Sequence, residues 1–148
     1  REGRLHRNFM GYTPYPARHL LGVGMSSISE VAGTFAQNAA DLAPWAEAVR
    51  SGALPIVRGH VLTEDDRVRG DIIRDLLCNL ELSLEQVPDR LAPALEALAK
   101  FEEDGLITRD AKKVRVTTLG RFFLRNLCLP FDAYLPARTT DRVFSRTL

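Results

Sequence analysis

The sequence predicts a mixed α/β chain, with short extended segments first and a mainly helical unit after them. Three observations carry that expectation. Up to Leu62 the apolar runs are short and interrupted by Pro14, Pro16, Gly22, Gly24 and Gly52, which suits strands and turns better than long helices. After Thr63 apolar residues recur at helical spacing, beginning with Val68, Ile72, Ile73, Leu76, Leu77 and Leu80. From Leu106 to Thr117 the pattern alternates around a polar turn at Asp110 to Lys113, which reads as a β-hairpin.

Taken in order, Leu5 to Tyr12 and Leu20 to Met25 are expected as short strands or extended loops. Pro14 and Pro16 force an extended or turning path between them. The second run enters Gly22-Val23-Gly24-Met25-Ser26-Ser27. Its glycines permit close backbone approach or positive φ, and its serines can cap a turn or offer hydroxyls to a bound group. Without a third glycine and a following amphipathic helix this is no dinucleotide fingerprint. A tight turn in a core-lining segment is the plain alternative.

Asn38 is the expected N-cap of a helix whose Leu42, Trp45, Ala46 and Val49 share one face, with Pro44 in its first turn and Gly52 as its stop. Leu54 to Leu62 reads as a strand. Thr63 and Asp66 resemble a capping box that opens a helix running to about Asn79. Ser83 and Gln86 form a second one, ahead of a stripe of Leu84, Val87 and Leu91. Pro93 should break or restart that helix, which then continues through Leu95, Leu98 and Phe101 to a stop at Gly105. After the hairpin, Thr118 is expected to cap a last helix through Leu119, Phe122, Phe123 and Leu127. Pro130 and Pro136 are expected to make the tail irregular.

Length and composition narrow the function. At 148 residues, 45% hydrophobic and 26% charged, the chain is globular rather than disordered. No apolar run reaches membrane-span length and no signal-peptide pattern opens the chain, so a cytoplasmic protein with no membrane partner is expected. A net charge of +1 advertises no broad nucleic-acid field. Of 20 basic residues, three are lysines (Lys100, Lys112, Lys113) and 17 are arginines. Coding bias accounts for most of that excess, although arginine is also the better fork for carboxylates. Cys78 and Cys128 have no partner spacing and read as buried thiols. His6, His19 and His60 lack ligand-like neighbours, so no metal site is expected. No serine–histidine–acid or cysteine–histidine arrangement is legible, and no catalytic residue is assigned. Asp65, Asp66, Arg67, Arg69, Asp71, Arg74 and Asp75 read as the charge-balanced wet face of one helix.

A family resemblance rests on His6-Arg7-Asn8-Phe9-Met10-Gly11-Tyr12-Thr13 and on Leu20-Leu21-Gly22-Val23-Gly24-Met25-Ser26-Ser27-Ile28-Ser29. It continues through Ala36-Gln37-Asn38, Arg58-Gly59-His60-Val61-Leu62-Thr63, Arg67 to Asn79, Arg125-Asn126-Leu127-Cys128 and Phe144-Ser145-Arg146. In these stretches the chain resembles the oxygen-independent coproporphyrinogen III oxidases, radical S-adenosylmethionine enzymes of haem biosynthesis. Related haem-chaperone-like proteins tend to read His-Asn-x-x-Tyr-Trp where this chain has Arg7 to Tyr12, which favours the oxidases.

The resemblance implies that residues 1–62 are the closing elements of a radical-SAM (β/α) partial barrel; residues 63–148 are expected as a mainly helical, winged-helix-like C-terminal domain, an accessory lid that excludes water. The resemblance also implies a [4Fe-4S] cluster on a Cys-x-x-x-Cys-x-x-Cys run that this chain lacks. The chain, which starts at Arg1, then reads as the carboxy-terminal portion of a longer, monomeric enzyme, inactive alone. The implied chemistry is removal of a propionate β-hydrogen by a 5′-deoxyadenosyl radical, then loss of carbon dioxide, twice, to give protoporphyrinogen IX. The substrate carries four carboxylates. Ile28 matches an isoleucine that contacts a second S-adenosylmethionine, and Phe9 an aromatic residue of the same pocket. Met10 stands where glutamine is usual, which removes an amide donor and acceptor.

Helix, helix, helix, hairpin is also the order of a winged-helix unit, and Glu103 to Arg109 with Val114 to Arg121 resembles the wing of bacterial winged-helix regulators. A DNA-binding module is therefore the rival reading, beside an inactive or haem-handling homologue. Against DNA, the helix before the wing carries Glu96, Glu102, Glu103 and Asp104 with Lys100, a face that repels phosphate. The wing itself offers Arg109, Lys112, Lys113 and Arg115.

Overall fold

A computed structural model describes residues 5–135. The expected irregularity at Pro136 and the Phe144-Ser145-Arg146 end of the resemblance lie outside them. The chain divides into two compact units, residues 1–74 and 75–148.

In the first unit, β1 (His6–Asn8) and β2 (Gly11–Thr13) form an antiparallel hairpin. The single extended run expected over Leu5 to Tyr12 therefore folds back on itself. Asn8 Oδ1 accepts the Met10 N–H at 2.8 Å, a side-chain mimic of a backbone turn that reverses the chain at Phe9 and Met10. Leu20 to Met25 takes the loop form of its expectation: after one bridge between Leu20 and Glu30 the chain runs on into a turn.

A three-stranded antiparallel sheet follows in the order β3 (Ile28–Val31), β4 (Thr34–Asn38), β5 (Ile56–Val61). Ala32 and Gly33, at φ 50 and 74, make the two-residue turn between β3 and β4, where two left-handed residues match the strand twist. Helix α1 (Leu42–Arg50) connects β4 to β5. Pro44 lies in its first turn, and Gly52 at φ 77 ends it, with Ala53 N–H reaching back to Ala48 O at 2.9 Å. Asn38 does not cap α1. It ends β4, and Asp41 holds the N-cap position with no side-chain cap bond.

Helix α2 (Glu64–Arg74) opens on the expected capping box. Asp66 Oδ2 accepts the Thr63 N–H at 2.8 Å, and Thr63 Oγ1 accepts the Asp66 N–H at 3.2 Å. Its outer face is laced by Arg69–Asp65 at 2.5 Å and Arg74–Asp71 at 2.8 Å.

The second unit begins with a π-helical turn, Asp75–Asn79, and leaves helix at Leu80, φ 60. Ser83 then departs from expectation. It belongs to β6 (Glu81–Ser83) and pairs with Lys113, so the second capping box does not form. The physical reason is Leu82, fully buried opposite Val114: sheet pairing in the core outweighs a local cap signal. The chain passes through 3₁₀ turns at Leu84–Gln86 and Asp89–Leu91 into α3 (Ala92–Glu96), where Pro93 sits in the first turn, and then α4 (Ala99–Glu103). Gly105, at φ 70, ends α4 as expected.

The hairpin β7 (Ile107–Arg109) and β8 (Lys113–Val116) completes a sheet ordered β6-β8-β7. Thr117, not Thr118, supplies the next cap, its Oγ1 accepting the Gly120 N–H at 3.0 Å. A 3₁₀ turn, α5 (Leu124–Cys128) and a further 3₁₀ turn at Leu129–Phe131 follow. Pro130 thus starts an ordered turn that buries Phe131 completely, rather than an irregular tail. Leu76, Leu82, Leu91, Leu98, Val114 and Leu127 join Phe131 in the core. Cys78 and Cys128 are buried and form no disulfide.

Candidate functional site

The site is built on one face of the β3-β4-β5 sheet. Residues directly opposite in antiparallel strands share a face, as do residues two apart in one strand. Ile28 lies opposite Gln37, and Gln37 opposite Arg58; Glu30 lies opposite Phe35, and Phe35 opposite His60. Two adjacent rows, Ile28–Gln37–Arg58 and Glu30–Phe35–His60, therefore line the same surface.

The β1–β2 hairpin delivers Phe9 to that surface. Its ring meets Phe35 edge to face, with centroids 5.3 Å apart and planes at 86°, a favourable aromatic geometry. Phe9 remains 53% exposed, so part of the ring is open. Of the three residues singled out in the sequence, the fold thus brings Phe9 and Ile28 to one face. Met10 sits beside Phe9 at the hairpin tip, 87% exposed.

The glycine-serine segment supports this face from one end. Ser27 Oγ donates to Gly24 O at 2.8 Å, while Asn38 Nδ2 donates to Gly24 O at 2.9 Å and to Ser27 Oγ at 3.1 Å. Ser29 Oγ accepts the Gly22 N–H at 3.0 Å. The hydroxyls of Ser27 and Ser29 are spent on pinning their own loop, so the segment acts as the tight turn. Asn38 is the residue whose role was missed: its amide ties the loop to the end of β4. Gln37 does related work, its Nε2 donating to Ser26 O at 3.4 Å and its Oε1 accepting from the Arg58 guanidinium.

Two of the three histidines make contacts within the fold. His19 Nδ1 accepts the Ala32 N–H at 3.2 Å, and His60 Nε2 lies 3.5 Å from Asp66 Oδ2. On the opposite sheet face, a largely apolar cavity of about 500 Å³ lies against α1, bounded by Leu21, Val23, Val31, Trp45 and Ile56. Trp45 Nε1 is buried and has no hydrogen-bond partner among the described residues. Among the described residues no group of three or more His, Cys, Asp or Glu is placed to hold a metal ion, and no helix is long and apolar enough to cross a membrane.

In the second unit the charged groups cluster at the β7–β8 hairpin. Asp110 Oδ1 accepts the N–H groups of Lys112 and Lys113, both at 2.8 Å, and Asp110 Oδ2 pairs with Arg115 at 2.6 Å. The Lys112 amide bond, the Arg115 bond and the Lys113 amide bond together hold the Asp110 carboxyl at about 2. Glu81 pairs with Lys113 and, at 3.1 Å, with Arg115, and its carboxyl is lowered chiefly by the Lys113 bond. Two of the four basic wing residues are therefore already matched by carboxylates.

Residues 62–123 match the family model described as "HemN C-terminal domain". Over 156 residues the chain is 38% identical to the oxygen-independent coproporphyrinogen III oxidase of Escherichia coli, a match that takes in 100% of this chain. Along its whole length the chain is therefore similar to oxygen-independent coproporphyrinogen III oxidases. The oxidase of Pseudomonas aeruginosa is 37% identical over 155 residues, 99% of this chain. Each match covers 34% of the relative, so the chain spans about a third of those oxidases. A solved structure, titled "Coproporphyrinogen III oxidase (HemN) from Escherichia coli is a Radical SAM enzyme", superposes with a TM-score of 0.84 at 39% identity. That superposition covers 90% of this chain and 33% of the other. The mixed α/β expectation is thereby met.

Proposed function

We propose that this chain is part of a cytoplasmic enzyme that converts coproporphyrinogen III to protoporphyrinogen IX without oxygen. In each of two events a propionate becomes a vinyl group, with loss of carbon dioxide, one β-hydrogen and one electron. Residues 1–62 complete the catalytic barrel in this reading, and residues 63–148 form a winged-helix-like lid that keeps water from the site. The observation that carries it is the placing of Phe9 and Ile28 on one sheet face, joined to identity along the whole chain.

The residues present suit S-adenosylmethionine as a contact surface: a branched aliphatic side chain, a partly open aromatic ring and the thioether of Met10, none of which donates an easily lost polar proton. Neither cysteine suits a cluster, because both are buried in the second unit and no third exists in the chain. Bound S-adenosylmethionine and its cluster would supply the hydrogen-abstracting radical; these side chains would orient and shield.

For the lid, strand order β6-β8-β7, with β6 preceding the helices, supports the winged-helix reading. The pairing of Lys113 and Arg115 with Glu81 and Asp110 speaks against a phosphate-binding wing. Ile28→Glu in the full-length enzyme tests the site. Anaerobic turnover is expected to fall at least about tenfold, on the scale of a buried charge without a partner, while the iron–sulfur absorbance stays. Undiminished turnover would remove Ile28 from the pocket.

A further inference from the structure

We propose that Arg58 is a substrate-binding residue whose guanidinium anchors a carboxylate of the porphyrinogen, on a propionate that is not reacting. The inference rests on the decarboxylase reading above and deepens it.

Arg58 lies in the row that begins with Ile28, two strands away across Gln37. At strand spacing that is roughly 10 Å, the scale of a tetrapyrrole rather than of one side chain. Four of the seven described arginines of the first unit are paired with carboxylates. Arg50 pairs with Glu47, Arg67 with Glu64, Arg69 with Asp65 and Arg74 with Asp71. Arg58 differs: it is exposed, its hydrogen bond goes to the neutral amide of Gln37, and it has no carboxylate partner among the described residues. An amide oxygen orients a guanidinium without cancelling its charge, and most of the N–H fork stays available.

The orientation is itself supported. Gln37 Oε1 accepts from Arg58 while its Nε2 donates to Ser26 O at 3.4 Å. The serine loop thus fixes the amide, and the amide fixes the guanidinium. The other charges of this face agree on where an anion would sit. Glu30, on β3, repels a carboxylate from that side, and His60 lies beside Asp66 at 3.5 Å. Arg58, on β5, is left as the cationic corner. The rows between, with Phe9 on Phe35 and the Ile28 side chain, offer aromatic and aliphatic surface to a macrocycle. Because Arg58 stands away from Ile28, where the proposed function puts the cofactor, the carboxylate it takes is a retained one.

The test uses the full-length enzyme. Arg58→Gln is expected to raise KM for coproporphyrinogen III about tenfold or more, the weight of a charge-assisted bidentate contact, with a smaller change in kcat. Arg58→Lys, which keeps the charge but not the fork, is expected in between. In fluorescence titrations, coproporphyrin III should bind R58Q more weakly than wild type by a similar factor. The tetramethyl ester should bind both proteins alike. Equal affinity of R58Q and wild type for the free acid, with wild-type turnover intact, would overturn the anchor and leave the decarboxylase reading standing. A wild-type enzyme that neither binds coproporphyrin III nor converts coproporphyrinogen would overturn both.

Discussion

Gly22 shows how tightly one residue couples the loop to the site. A Cβ there would meet the Ile28 carbonyl oxygen at 2.7 Å and its carbonyl carbon at 2.9 Å; both of these are backbone atoms, so relief requires the start of β3 to move. Gly22→Ala is expected to cost about 1–3 kcal/mol and to displace Ile28, lowering the urea midpoint and, in the proposed enzyme, raising KM for S-adenosylmethionine. A change in neither would mean that the loop accommodates the methyl group freely. Sequence reasoning reached the glycines for the right cause, close approach and positive φ, but could not assign the hydroxyls. Whether Ser27 serves its own turn or a ligand depends on Asn38, eleven residues on, whose amide reaches Ser27 Oγ at 3.1 Å. Local patterning scored Asn38 as a helix cap because asparagine before an apolar periodic run looks like one. Its long-range bond carries no local signal.

Among elements, the β7–β8 hairpin and the turn after it are closely constrained. Asp110 has an ordinary pKa of 3.8 that the folded hairpin holds at about 2. A carboxylate depressed on folding contributes stability fully above its unfolded value and loses it as pH falls through the folded one. Hairpin order is therefore expected to persist at pH 4 and fade toward pH 2, with the Lys112 and Lys113 amide NMR shifts titrating near about 2. Titration near the unfolded value would show that the three bonds to Asp110 are not kept in solution. Gly120 is more exacting: its Cβ would stand 1.9 Å from the Leu106 carbonyl oxygen. Gly120→Ala should cost more than Gly22→Ala, above about 3 kcal/mol, read as loss of the cooperative melt of residues 75–148. This hairpin was legible because Asp110 and the alternating run around it act locally. The strand pair β3–β4 was not, since Ala32-Gly33 lacks the Asn-Gly signature of its turn. Nor was β6: three residues long, it exists only because Leu82 is buried opposite Val114.

On the scale of the molecule, the two units differ in how they are held. Residues 75–148 contribute eleven of the thirteen buried apolar side chains among the described residues, whereas residues 1–74 contribute Ala39 and Ile72. The first unit instead exposes large apolar groups, with Leu21 at 75%, Val23 at 94%, Leu54 at 78% and Val61 at 70%, and every residue of β5 is open to solvent. Such a sheet buries little area against the conformational entropy of ordering it. Its strand edge and apolar cavity have the character of an interface. In the proposed enzyme the remaining part of the catalytic domain would cover them. In the 148-residue chain by itself, amide hydrogens of β3, β4 and β5 should then exchange at least about tenfold faster than those of β7, β8 and α5, with a dye for exposed apolar surface binding strongly. In the full-length protein, β3 to β5 should become as protected as the second unit, and the dye signal should fall. Equal protection of both sheets in the short chain would show that the first unit holds itself together, and that its open apolar face answers to some purpose other than completing a barrel.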